Sequence, residues 1–354
     1  MTTGVTRGMT TGVARAPGRV NLTGDPPDYT GGLVFPLAID RFTDIHFERG
    51  TTAARIELVS ADEPHPVSLA LRIDDPTTVT PSWGRYVAGV VAEMRPSFGL
   101  TGTVTTTIPI GGGMSSSHAL QVAVALALGF EGSTVELAKL TQRAENRASG
   151  VPTGIMDQLS IVSGVAGHAL LIDCGELTVD PVPLPDDIDV VVIFVAQRTL
   201  VGSAYADRVA ECALAEREIG ALRHATTADV AGIGDALIRR RAEHVVAENQ
   251  RVRDFAAAMR THDLEVAGKL MVASHASLRD LYETSTPQMD AAVAELAAMP
   301  GVYGARMTGG GFGGCVVAMT EAGAIDLGGS RAAWTVLSVD GARVDYPGDE
   351  GGQP

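Results

Sequence analysis

The chain has 354 residues, 45% of them apolar, with 19% charged residues and a formal net charge of −15. Such a length holds two domains, or one large one, with ample core. The acidity argues against nucleic acid as a partner, and the modest charged fraction excludes a disordered acidic chain.

In chain order, residues 1–13 read as a loose polar tail that repeats Met-Thr-Thr-Gly-Val. Apolar alternation and β-branched residues predict strands near 45–47, 55–58 and 102–108. Helical spacing predicts a helix over 83–94, and an apolar, charge-free stretch predicts a buried one over 115–130. A third helix, 134–149, opens on a Ser/Thr cap with an early Glu136. Strands follow at 169–173 and 190–195, with the Pro- and Asp-rich segment 181–187 between them as the domain boundary. Helices dominate 203–299, and strands at 306–308 and 316–319 flank a second glycine cluster. Residues 347–354 read as a disordered end. This order is an α+β pattern, not the strict alternation of a parallel sheet. Cys174, Cys212 and Cys315 are scattered and odd in number, which fits a reducing cytoplasm and no zinc site. No leader or membrane-length apolar run is apparent, so a cytoplasmic protein without a membrane partner is expected.

The stretch Gly111-Gly112-Gly113-Met114-Ser115-Ser116-Ser117 precedes the charge-free helix. Glycines let backbone N–H groups crowd round a ligand, and a helix N-terminus offers unpaired donors and partial positive charge. An anion fits there, above all a phosphate. The familiar phosphate loop needs a Lys before its Ser/Thr. None lies near, so this is a different grip, with a capped glycine turn as the plain alternative. Gly309-Gly310-Gly311-Phe312-Gly313-Gly314 has dinucleotide spacing, but a strand follows it where a helix is required, which rejects that reading. Arg19, in a Pro-Gly-Arg segment, precedes a Pro/Gly loop holding Asp25 and Asp28; carboxylates there suit polyol hydroxyls, and a surface turn is the bland alternative. Asp157 stands among apolar residues, where a carboxylate needs a partner or a task. Arg19 is a candidate partner. A carboxylate such as Glu145 with a Ser hydroxyl is a usual way to hold Mg²⁺.

Together, Pro17-Gly18-Arg19-Val20-Asn21-Leu22, the Gly-Ser loop, Gly154-Ile155-Met156-Asp157-Gln158 and Arg306-Met307-Thr308 with its glycines and Cys315 resemble the signatures of galactokinases, members of the GHMP kinases. The resemblance runs in family order from about residue 14 to 315. It implies an α+β fold of two domains. The first, 1–186, has a mixed sheet with the ATP phosphate loop and the sugar loop; the second, 187–354, is an α/β sandwich. It also implies an ATP- and Mg²⁺-dependent kinase acting at C1 of a sugar, a monomer or weak homo-oligomer. By position, Gly111 to Ser117 match the ATP loop, and Ser117 and Glu145 the Mg²⁺ ligands. Asp157 matches the catalytic aspartate and Arg19 the arginine beside it. Asp25, Asp28, Gly154 and Tyr205 match sugar-contacting positions.

Departures bear on the substrate. Where galactokinases read Gly-Glu-His-Thr-Asp-Tyr, this chain has Gly24-Asp25-Pro26-Pro27-Asp28-Tyr29. Asp25 is shorter than Glu, and Pro26 cannot donate as His does. The family uses that Glu and His at the hydroxymethyl end of galactose. A C6-extended aldose, a heptose or octose with or without a distal phosphate, is therefore the expected substrate; Arg198 is a candidate cation for such a phosphate, with a solvated surface Arg as the favoured reading. Galactose itself, another small-molecule kinase substrate, and a sugar sensor without turnover are the alternatives. His118 replaces the usual Ala after the Ser triplet, and Gln121 stands where Glu is usual.

Overall fold

A computed structural model describes residues 10–25, 27–51, 55–197, 204–328 and 332–348. The first half runs β1 (Thr10–Asn21), β2 (Leu33–Val34), β3 (Pro36–Thr51), β4 (Arg55–Ser60), β5 (Val67–Ala70), α1 (Gly84–Met94), β6 (Gly99–Thr106), α2 (Ser116–Ala127), α3 (Thr134–Ser149), α4 (Met156–Ser163), β7 (His168–Asp173) and β8 (Thr178–Pro183). The second half runs β9 (Ile188–Ala196), α5 (Tyr205–Ile219), α6 (Thr227–Ala231), α7 (Ala236–Arg260), α8 (Leu264–Ser277), α9 (Pro287–Ala297), β10 (Val302–Thr308), β11 (Gly314–Glu321), β12 (Ala333–Val336) and β13 (Arg343–Asp345).

Three sheets organise the described residues, in the orders β13-β1-β3-β6-β4-β5, β10-β11-β9-β12 and β2-β7-β8. The first is mixed, because β4 pairs with β6 in parallel while its other ladders are antiparallel. Helices α2 and α4 pack on it with α1 and α3 against α2, while α8 and α9 pack on the second sheet with α7 against α8 and α5 and α6 against α7, an α+β arrangement in two parts as the sequence predicts. Two features depart from the expected division. Residues 10–13, read as tail, begin β1, because pairing with β3 satisfies a backbone whose side chains are too polar to announce a strand. Strand β13, within the expected second domain, pairs with β1 of the first sheet. The core is likewise shared: Phe255 of α7 meets Phe35 edge-on at 5.1 Å, within one apolar cluster that joins β1, α2, α8 and β11.

Local chemistry places the helices that carry the site. The apolar α2 is buried almost all round, as its composition requires. Ser133 and Glu136 form a reciprocal capping box at the start of α3, with Ser133 N–H donating to Glu136 Oε2 at 2.7 Å. Loss of such a cap costs about 1 kcal/mol. Gly150 ends α3 in the left-handed region, and the chain turns back through Gly154 into α4, which starts beside the first sheet. A bulge between Pro17 and Gly18 in β1 marks the point from which Arg19 projects inward.

Candidate active site

Four segments meet at the N-terminus of α2. Ser115, its cap residue, lies at φ +65° and makes no side-chain cap bond; its hydroxyl instead donates to Asp157 Oδ2 at 2.7 Å. A left-handed non-glycine residue at this point is strain of the kind that clusters at functional sites. Arg19 is 1% exposed. Its Nε donates to Asp157 Oδ1 at 2.5 Å and its Nη1 to the Gly113 carbonyl at 2.6 Å. One guanidinium thus ties the carboxylate to the glycine loop. His118 Nδ1 lies 3.3 Å from Asp157 Oδ2 and 3.3 Å from Ser117 Oγ.

Burial alone would push the Asp157 carboxyl up, but the charges of Arg19 and His118 and the bonds from Arg19 and Ser115 outweigh it and hold the group far below the usual carboxylate range. Asp157 is therefore a fixed anion and a weak base at neutral pH.

Asp28 sits on a short 3-10 turn, Pro27–Thr30, and is half-buried. Gly154 is pressed against it: a Cβ added there would fall 1.9 Å from Asp28 Oδ2, so any larger residue would displace that carboxylate. Burial first, and then the negative charges of Asp157 and Asp25, push the Asp28 carboxyl up to about 7. Tyr205, the first residue of α5, is buried and meets Tyr29 edge-on at 6.0 Å. Glu145 is buried on α3, which packs against α2.

The second glycine cluster joins β10 to β11, as its rejection as a dinucleotide fingerprint implies, and it abuts the first. A Cβ added at Gly314 would lie 3.3 Å from the Gly112 carbonyl oxygen, so this loop walls the glycine–serine loop on one side. Its part in the site is clear only once the fold brings residues 112 and 314 together.

Family models for the GHMP kinase N-terminal domain and C-terminal region match residues 85–165 and 255–327, and the galactokinase galactose-binding signature matches residues 6–49. A galactokinase of Roseiflexus sp. is 43% identical over 89% of this chain and 84% of its own length. The human galactokinase is 39% identical over 93% of this chain and 91% of its own. The structure of Lactococcus lactis galactokinase complexed with galactose superposes with a TM-score of 0.85 at 28% identity, covering 96% of each chain.

The chain belongs to the galactokinase family of GHMP kinases. As a galactokinase-family member it is a sugar 1-kinase, with ATP as the phosphoryl donor and a small-molecule sugar as acceptor. No described helix is long and apolar enough to cross a membrane. These relatives, all galactokinases, favour galactose over the C6-extended aldose expected from the altered loop. Asp25, predicted to face the sugar, is 1% exposed and turned inward, 2.9 Å from Arg306 Nη1. Pro26 and Arg198, the other residues behind that expectation, lie outside the described residues. Segment 24–32 is also no exposed turn, since Gly24, Asp25 and Thr30 are buried.

Proposed function

We propose that this protein is a galactokinase in the strict sense, moving the γ-phosphoryl group of ATP to the anomeric hydroxyl of galactose. The observation that carries the reading is the Arg19–Asp157–Ser115 constellation, tied to the Gly113 carbonyl, in a chain 43% identical to a galactokinase. In this reading the ATP phosphates lie along Gly111, Gly112, Gly113, Met114, Ser115, Ser116 and Ser117, facing the N–H groups and positive end of α2. Arg19 sits where negative charge passes between donor and acceptor. Phosphoryl transfer asks mainly for position and charge neutralisation, which this arrangement supplies.

Asp157, a weak base held by three neighbours, orients the C1 hydroxyl and accepts its proton only as the phosphoryl group arrives. Ser117 and Glu145 would hold Mg²⁺. Both offer oxygen, which suits a hard cation. Among the described residues no three His, Cys, Asp or Glu side chains group into an all-protein metal cage, which fits an ion completed by phosphate and water. When bound, the ion neutralises charge on the transferring oxygens. Asp28, beside Gly154, accepts hydrogen bonds from ring hydroxyls, and Tyr205, packed edge-on to Tyr29, contacts the sugar beside it.

Release of ADP on adding galactose, measured beside the same assay with C6-extended aldoses, tests the proposal. Galactose should give the highest kcat/KM. A clear lead for a heptose or octose would overturn it.

The Asp28 carboxyl adds a pH dependence. Sugar hydroxyls need the ionised form as acceptor, and ionisation is complete only above about 7. The kcat/KM for sugar is therefore expected to climb roughly tenfold per pH unit below that value and level off above it. For stability the sign is opposite. The folded state keeps this proton up to about 7. The unfolded chain loses it near the ordinary value of about 4, so this group's contribution falls as pH rises between the two. In Asp28→Asn the slope in kcat/KM near pH 7 should vanish; a slope that survives would assign it to another group.

A further inference from the structure

The glycine-cluster strand β10 carries a charge that the reaction does not use. Arg306 is 0% exposed, and its Nε, Nη1 and Nη2 make no hydrogen bond. Its ion-pair partner is Asp25, at 2.9 Å but too bent for a hydrogen bond. Arg306 also lies close enough to the buried Glu248 of α7 to favour its ionised form. A guanidinium enclosed in this way acts through charge alone, between two buried carboxylates.

Both carboxylates belong to one clamp on the segment 23–33. Glu248 Oε1 accepts from the Gly24 N–H at 2.8 Å and from Thr23 Oγ1 at 3.2 Å. His244 Nε2 lies 3.0 Å from the Asp25 carbonyl oxygen, and its Nδ1 2.8 Å from Ser277 Oγ. Burial holds this imidazole down to about 4, so at neutral pH it is uncharged and its Nε2–H donates to that carbonyl. Asn249 Oδ1 takes the Leu33 N–H at 2.8 Å. Helix α7 thus grips the backbone of the segment, while the Asp25 side chain answers chiefly to Arg306 of β10 and less to Asn21 and Arg19 of β1. Burial drives the Asp25 carboxyl toward its neutral form, and the charge of Arg306 is the largest influence against that. Asp28 stands three residues beyond Asp25, at the open end of the same loop.

We propose that Arg306 is a positioning residue for the sugar: from β10 it holds the Asp25 carboxylate inside, and with it the loop that presents Asp28. The inference rests on the reading of this loop as the sugar loop. Without Arg306, the enclosed Asp25 carboxylate loses the strongest influence that keeps it ionised and either takes up a proton or turns to water; either change loosens its hold on the loop and draws Asp28 out of register. The phosphate loop is fastened separately, through Arg19 and Gly113, so nucleotide binding is spared. A purely structural ion pair would behave differently: its loss would lower the melting temperature and the active fraction but leave both KM values alone.

The test is the KM split in Arg306→Met and in the double variant Asp25→Asn/Arg306→Met. Arg306→Met is expected to raise the sugar KM roughly tenfold or more, with the ATP KM within about twofold of wild type. The double variant removes the unpaired charge and should fall between the two, about three- to fivefold above wild type for sugar. Should Arg306→Met not fold, the double variant carries the test, since Glu248 keeps Arg251 at 2.6 Å and loses no direct bond. A wild-type sugar KM in the double variant, or two KM values rising together, would overturn the proposal. Asp28→Asn serves as the reference for the loop: a raised sugar KM there, with none in the Arg306 variants, leaves the sugar loop standing and removes Arg306 from it.

Discussion

Asp157→Asn is expected to lower kcat by about 10²-fold or more while leaving ATP affinity near normal. The amide keeps the size of the side chain but turns one acceptor into a donor. Oδ1 receives the Arg19 guanidinium, and Oδ2 receives Ser115 with His118 3.3 Å away. Whichever way the amide turns, its NH₂ meets a donor, so the group loses its orientation as well as its charge. Nucleotide binding is spared because the phosphate loop keeps its own hold on Arg19 through Gly113. The checks are steady-state kcat and a direct ATP titration of the variant. A kcat near wild type would remove Asp157 from the chemistry.

Arg19→Ala should be at least as damaging to turnover, with kcat down by about 10²- to 10³-fold, and should also weaken the fold. Its guanidinium satisfies Asp157 and the Gly113 carbonyl at once, at 2.5 and 2.6 Å, while being 1% exposed. Removing one partner of a buried pair leaves the other charge without compensation, a cost of about 3–5 kcal/mol. Arg19→Lys should rescue little, since a single ammonium cannot reproduce a planar fork serving two acceptors. Thermal unfolding with and without ATP, together with kcat and both KM values, separates the two effects. A change confined to the ATP KM would make Arg19 a nucleotide ligand only.

Local rules made much of the fold legible. Ser133 and Glu136 announce the start of α3, the charge-free run after Ser117 announces a buried α2, and the strand after Gly314 excludes a dinucleotide site. What escaped depends on partners far off in sequence. Thr10 to Gly12 look like tail until β3 pairs with them, and Arg343–Asp345 give no sign that they close the first sheet. Asp25 shows the same limit at the site. Its sequence neighbours suggest a carboxylate in a surface loop, and only the fold brings Arg306 to it from nearly the other end of the chain. The C6-extended sugar followed from a shorter acid at Asp25 and from Pro26 in place of a donor His; it is the galactokinase relatives that favour galactose over it. The tie between Arg19 and Asp157 was readable as a candidate pairing, but the share of Ser115 and His118 in holding the carboxylate was not, because no spacing rule links residue 115 to residue 157.

The most direct test is to follow galactose and ATP with the wild-type enzyme and Mg²⁺ by phosphorus NMR, using galactose labelled with carbon-13 at C1. The expected product is a sugar phosphate whose phosphorus couples to the labelled anomeric carbon, formed in step with ADP. Phosphate on any other carbon, or ADP and inorganic phosphate with unchanged sugar, would contradict an Asp157-oriented transfer to the anomeric hydroxyl.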